Sequence, residues 1–325
     1  MNYKRKFQRL IIFGIVCGIS VTLLLTVIMG LVPVAEFDSS NLSVSSDLLR
    51  TSMSKLLVII ISAAKNADRR NAIRQTWLSE ESTQALDVQY YFVVGTEGIL
   101  ETERNVLNFE MQNNNDLLLL NDVKDSYDQL THKLLASMQW INEHTNFEHL
   151  LKVDDDSFVV LSQLLELLSF KNRTRLYLGF FDGSAQVKRR GQWAELNWKL
   201  CDRYLPYARG GGYVLSHDLV AFIASNANLL QRYNSEDVSV GAWLAGLDIE
   251  RVHDPRFDTE YVSRGCHNSY IVTHKQSVTQ MVDKWQTWRE SGVICANEFR
   301  SRLSYVYNWD VPPSKCCVRN DTTVP

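Results

Sequence analysis

The sequence predicts an α/β domain whose sheet is buried on both faces and covered by helices, and three observations point to it. The run Leu56-Leu57-Val58-Ile59-Ile60-Ile61 is continuous, apolar and partly β-branched, the mark of a strand buried on both sides as in a parallel sheet. Strand-like and helix-like stretches then alternate. Finally, three consecutive aspartates, Asp154, Asp155 and Asp156, follow the apolar-rich run 149–153. That puts an acidic cluster at the carboxyl end of a strand, where such sheets bind ligands.

Residues 1–9 carry Lys4, Arg5, Lys6 and Arg9, and residues 10–32 are an uncharged, mostly apolar stretch. As a helix this stretch is about 35 Å long, enough to cross a bilayer. No Lys or Arg follows until Arg50, so the basic flank predicts a cytosolic N-terminus, with everything after residue 33 on the lumenal or extracellular side. A cleaved signal peptide is the competing reading, but its apolar core is shorter, about 7–15 residues. Residues 33–54 are Ser-rich and lack helical periodicity, as expected of a stem. A folded domain is expected over 55–325, with a strand at 55–61, a helix over 69–78, a strand at 88–94 closed by Gly95, helices over 99–109 and 126–143, and the strand 149–153. A helix is expected to open near Ser157. The net charge of −3 gives no sign of nucleic-acid binding. Sequons at Asn41, Asn172 and Asn320 fit a secretory compartment. Of six cysteines Cys17 lies in the span, leaving Cys201, Cys266, Cys295, Cys316 and Cys317. Five thiols allow at most two intramolecular bridges.

Adjacent carboxylates repel, so a packed cluster implies a cation between them, and hard oxygen ligands suit Mg²⁺ or Mn²⁺. An Asp-rich turn capping the next helix also fits the triplet. Glu236 and Asp237 follow Ser235. They read either as a helix-opening pattern or as a general base able to take a proton from a sugar hydroxyl. Between the two acidic sites, Gly210-Gly211-Gly212 lets a ligand approach the backbone or makes a flexible turn. Trp193, Trp198, Tyr204 and Tyr207 surround it in sequence, as sugar platforms or as core. His274 ends a short β-branched strand and is a candidate metal ligand, with His253 as its rival.

In identity and order these motifs resemble the β-1,3-galactosyltransferase and N-acetylglucosaminyltransferase family of Golgi enzymes. The matching pieces are 70–77 (Arg70 to Trp77), 91–95, Asp125-Ser126-Tyr127, 152–156, 204–216 and Glu236-Asp237-Val238. The stretches 253–261, 263–266 and 273–277 are most similar to the members that act on the galactosyl-xylose of the proteoglycan linker. The resemblance implies a GT-A fold, one Rossmann-like nucleotide-sugar-binding sheet fused to an acceptor-binding half. It implies UDP-galactose as donor, galactosyl-xylosyl core proteins as acceptors, Mn²⁺ as cofactor, inversion at the anomeric carbon and a single-pass type II Golgi membrane protein. Carried over by position, Asp237 is the base, Asp156 and His274 hold the metal, and Asp154, Asp155 and Arg74 meet the nucleotide sugar. Trp193, Trp198 and Tyr207 meet the acceptor. The competing readings are a transferase with another sugar donor or acceptor, a silent sugar-binding relative, and a metal-dependent phosphohydrolase.

Overall fold

Strand β1 (Ser54–Ile61) shows how the sequence builds the sheet. Its side chains alternate: Leu56, Val58 and Ile60 pack into one core, and Leu57, Ile59 and Ile61 into another on the opposite face. Period-two alternation of wholly apolar residues requires cover on both sides. Helices supply it. A computed structural model of the chain describes residues 53–320 and 323–325. The predicted tail and span, the stem up to residue 52, and Asn41 lie outside the described residues. No helix of the described residues is long and apolar enough to cross a membrane.

Among the described residues, seven strands form the main sheet, in the order β3-β2-β1-β4-β7-β6-β8. β2 (Val88–Gly95), β3 (Leu117–Leu120) and β4 (Phe147–Asp154) join β1 in a parallel half. β6 (Leu176–Asp182) and β8 (Glu250–His253) pair in parallel, and β7 (Tyr207–Ser216) runs antiparallel between β4 and β6. The predicted α/β class is therefore borne out, with a mixed rather than all-parallel sheet. The glycine run is no flexible turn but part of a central strand.

One face is covered by α1 (Ala67–Gln75), α5 (Leu161–Ser169) and α8 (Val278–Ser291), the other by α4 (Leu130–His144), α6 (His217–Ser225) and α7 (Glu236–Leu244). The first face is also met by α2 (Glu80–Leu86) and α3 (Glu101–Asn114), through Leu86 and Leu107. Neither α2 nor β3 is evident from periodicity, while α3 and α4 begin two and four residues later than expected. A smaller sheet of β5 (Phe158–Val159), β9 (Phe257–Asp258) and β11 (Val272–Thr273) sits beside the aspartate triplet. Short strands β10 (Gly265–Cys266) and β12 (Phe299–Arg300) pair separately. Cys266 is bridged to Cys295 and Cys316 to Cys317, and Cys201 is free and exposed.

Candidate active site

The aspartates lie where the parallel strands end, with Ile61 of β1 opposite Asp154 of β4. β11 pairs antiparallel with β5, setting Thr273 opposite Phe158, and the Gln276 amide donates to the Asp156 carbonyl at 2.8 Å. This local pairing brings His274 onto the triplet across 118 positions of sequence. Its Nε2 lies 2.9 Å from Asp156 Oδ1 and 3.3 Å from Asp154 Oδ2. The ligand-capable atoms of the three side chains lie within 4.8 Å of one another. The Glu260 carbonyl meets the other ring nitrogen at 3.2 Å, fixing the ring as the outer partner of a metal-bound imidazole does.

Two observations fit a cation here. Asp156 Oδ1 and His274 Nε2 are buried yet make no hydrogen bond of acceptable geometry, although a buried polar atom normally has a partner. And burial alone lowers an imidazole, yet Asp154 and Asp156 push His274 up to about 9, so this pair of carboxylates calls for positive charge. Two carboxylates and an imidazole suit a divalent ion of the Mn²⁺ or Mg²⁺ type.

Asp155 points elsewhere. Its carboxylate accepts from Ser62 Oγ (2.8 Å), Asn66 Nδ2 (2.7 Å) and Arg69 Nη1 (2.8 Å), which ties the triplet to the turn after β1. Arg74, expected near the nucleotide, is held by Asp116 and Glu110 (2.7 Å each) and lies over the Phe92 ring. The carboxylates it meets are these two and not the triplet. Arg69, on the same helix and not singled out by its sequence, is the arginine that reaches Asp155 and comes within 3.8 Å of Asp156.

Lys152 joins the two acidic sites. Its buried ammonium donates to Asp154 Oδ1 (2.9 Å), to the Gly210 carbonyl (2.7 Å) and to Glu236 Oε1. Burial raises the Asp154 carboxyl, but Lys152 and His274 outweigh it and hold it below the usual range. Glu236, buried at the start of α7 with its Oε2 taking the Tyr213 hydroxyl at 2.9 Å, is pushed up to about 7 by burial against the pull of Lys152. Asp237 is more accessible. Its Oδ2 accepts from the Gly210 amide (2.9 Å) and its Oδ1 from Val238 N (2.8 Å), and burial raises its carboxyl against the pull of Arg209 and Lys152. A carboxylate raised in this way is better suited to accept a proton.

The three glycines are what bring these groups together. A Cβ on Gly211 would lie 2.5 Å from the His274 ring, and one on Gly210 3.1 Å from Glu236 Oε1 and 3.2 Å from Asp237 Oδ2. Close approach of the neighbouring side chains, not positive φ, is the reason for glycine here.

Of the predicted acceptor residues, Trp198 is 1% and Tyr207 3% exposed. Trp198 Nε1 donates to the Cys201 carbonyl and the Tyr207 hydroxyl accepts from Arg209, both at 2.8 Å. They pack with Tyr204, Tyr233 and Val238 as a small core and offer no face to a sugar. This corrects the expectation for both. Trp193 is 43% exposed. His253, the rival ligand, is enclosed between the Phe181 amide (3.0 Å to Nδ1) and the Tyr305 carbonyl (2.9 Å to Nε2), away from the triplet. Asn172 and Asn320 are exposed.

A family model described as galactosyltransferase matches residues 68–255. The chain is 49% identical to Beta-1,3-galactosyltransferase 6 of Mus musculus, over 82% of this chain and 83% of that protein. It is 34% identical to UDP-GalNAc:beta-1,3-N-acetylgalactosaminyltransferase 2 of Xenopus tropicalis over 62% of this chain, and 28% identical to Beta-1,3-galactosyltransferase GALT1 of Arabidopsis thaliana over 75%. The matches span 41% and 39% of those two longer relatives.

Proposed function

The chain belongs to the galactosyltransferase family, and from that premise we propose that it transfers galactose from UDP-galactose, in β-1,3 linkage and with inversion, to the galactose of Galβ1-4Xyl-O-Ser in the glycosaminoglycan-protein linker. The observation that carries the reading is the junction at Lys152 and Gly210, which sets a cation-ready cluster (Asp154, Asp156, His274) beside a carboxylate of raised basicity (Asp237). The 49% identity to a protein named Beta-1,3-galactosyltransferase 6 supports the sugar and the linkage. The resemblance of residues 253–277 to linker-acting members supports the acceptor.

In this reading Asp156 and His274 would hold Mn²⁺, and Asp154, expected at the nucleotide sugar, would join them, since its carboxylate lies in the same cluster. When bound, such an ion supplies charge neutralisation on a departing diphosphate. Asp237 takes the proton from the acceptor 3-hydroxyl. The O3–C1 bond forms as the bond from C1 to the phosphate oxygen breaks, and UDP leaves with the electron pair. Attack opposite an α-linked leaving group gives the β product without a covalent enzyme intermediate. The two backbone amides on Asp237 orient its carboxylate, and Lys152 keeps Asp154 ionised. The reading also makes residues 1–9 a cytosolic tail, 10–32 a signal anchor, 33–54 a stem and 55–325 a GT-A catalytic domain in the Golgi lumen. The basic flank before an apolar run supports that arrangement.

The test is incubation of residues 51–325 with UDP-galactose, Mn²⁺ and a galactosyl-β-1,4-xyloside, with linkage analysis of the product. Asp237→Asn is expected to keep UDP binding and to lose turnover by about 10²-fold or more, the scale of general-base assistance. Turnover retained by Asp237→Asn would remove it as the base. Absence of any transfer by the wild type would remove the proposed acceptor.

A further inference from the structure

Two large aromatic side chains remain accessible beside the site: Trp193, 43% exposed, and Tyr261, 66% exposed. Their rings meet edge to face with centroids 5.9 Å apart. Each is anchored to a different half of the site. On the Trp193 side, Asn234 Nδ2 donates to the carbonyls of Gln192 and Ala194, both at 3.1 Å, and the Asn234 amide donates to Glu195. Asn234 lies three residues before Asp237. On the other side, Tyr261 directly follows Glu260, whose carbonyl meets His274 Nδ1. Arg302 and Arg319 hold the Glu260 carboxylate, and Arg264 holds Asp258 just before it. Both rings therefore stand on fixed backbone, one tied to the proposed base and the other to the proposed metal cluster.

We propose that Trp193 and Tyr261 together form an aromatic platform, its free faces turned outward from their mutual edge contact, on which the second sugar ring of the acceptor stacks, the one beyond the galactose that receives the transfer. The proposal rests on the galactosyl-transfer reading above. The receiving hydroxyl must reach Asp237, which lies deeper, between Gly210 and Val238. What extends outward from that galactose meets the accessible aromatics, whose faces suit the C–H face of a sugar ring. Tyr261 closes the stretch 253–261, which the sequence marks as a whole without singling out this ring.

The test uses the full chain in detergent at saturating UDP-galactose, with two acceptors: the galactosyl-β-1,4-xyloside and methyl β-galactoside. Tyr261→Ala and Trp193→Ala are each expected to raise KM for the disaccharide about 3- to 10-fold with kcat little changed, the range for loss of one aromatic contact. KM for the single galactoside is expected to move by less than about 2-fold. Tyr261→Leu, which keeps bulk without a π face, is expected to behave like Tyr261→Ala, and Tyr261→Phe to restore the disaccharide KM. An unchanged disaccharide KM in Tyr261→Ala and Tyr261→Leu, or an equal rise for both acceptors, overturns the platform. Transfer to neither acceptor by the wild type overturns instead the function on which it rests.

Discussion

Replacing Lys152 with Met tests the junction on which the site depends. The side chain is buried, and its ammonium has three oxygen partners: Asp154, Glu236 and the Gly210 carbonyl. Asp154 is about a third exposed, with 34% of its side chain accessible, so water compensates much of its loss. Glu236 and the Gly210 carbonyl have less recourse. Removing one partner of a buried ion pair costs about 3–5 kcal/mol, because the other charge is left without compensation. In a domain of this size about 2–4 °C of thermal midpoint corresponds to 1 kcal/mol, so the midpoint should fall by about 6–20 °C. The measurement is thermal unfolding at pH 7.5 in the presence of chelator, which keeps metal binding out of the comparison. The double variant Lys152→Met, Glu236→Gln removes both charges and should recover at least about half of the loss, since deleting a whole pair is far less costly than halving it. A single variant within about 1 kcal/mol of wild type, or a double variant no more stable than the single one, would refute the reasoning.

Asp156→Asn is expected to weaken Mn²⁺-dependent UDP binding, measured by calorimetry, by at least about 10-fold, because metal sites lose 10- to 100-fold even for partners one step removed from the ion. Asp155→Asn, which disturbs the contacts to Ser62, Asn66 and Arg69, should chiefly lower the thermal midpoint; if it matches Asp156→Asn in lost metal dependence, the division of labour within the triplet is wrong. Gly211→Ala places a Cβ 2.5 Å from the His274 ring. It should cost about 1–3 kcal/mol of overpacking and displace the imidazole, seen as a loss of Mn²⁺ affinity, whereas a variant with normal affinity would show that the ring has room. Stability should also depend on His253. Burial holds its imidazole down at about 4, below the ordinary value of 6.5, so below pH 6.5 the unfolded chain binds the proton more readily than the fold does. The stability is therefore complete above about pH 6.5 and is lost as pH falls toward 4, by on the order of 3 kcal/mol from this group. Urea unfolding at pH 7.5 and 4.5 should show a smaller acid loss in His253→Gln than in wild type, and equal losses would exclude His253 as the cause.

Where an element's cause is local, the sequence discloses it. The alternation along β1 and the apolar run ahead of the aspartates each demand a buried strand within their own few residues. The segment 210–212 is different. Glycines weaken a strand and leave no side-chain pattern, so from sequence the segment reads as readily as a turn. Its place in the middle of the sheet comes from the pairing of β7 with β4 and β6, and its glycines from His274, Glu236 and Asp237 pressing against it, all from positions far along the chain. The four leucines of β3 are too few to separate strand from helix by period; their pairing with β2 decides.

The same distinction runs through the site, and Arg69 and Arg74 show it most directly. Both lie on α1, five residues apart. At 3.6 residues per turn, five positions correspond to about 140° around the axis, so the two arginines face nearly opposite ways and at most one can address the triplet. Motif order singles out Arg74, but helical phase gives the triplet to Arg69 and leaves Arg74 to Asp116 and Glu110. That phase is set by the packing of Ala72 and Ile73 into the core, which motif order does not carry. Position along the chain places a residue on an element without fixing which way its side chain faces. Asp154 closes β4, Asp156 follows it by two residues and Asp237 is the second residue of α7, so each lies near the end of an element. For Trp198 and Tyr207 the sequence leaves that direction open: an indole and a phenol serve a core as well as a sugar, and their neighbours Tyr204 and Tyr233 draw them inward, whereas Trp193 and Tyr261 are exposed.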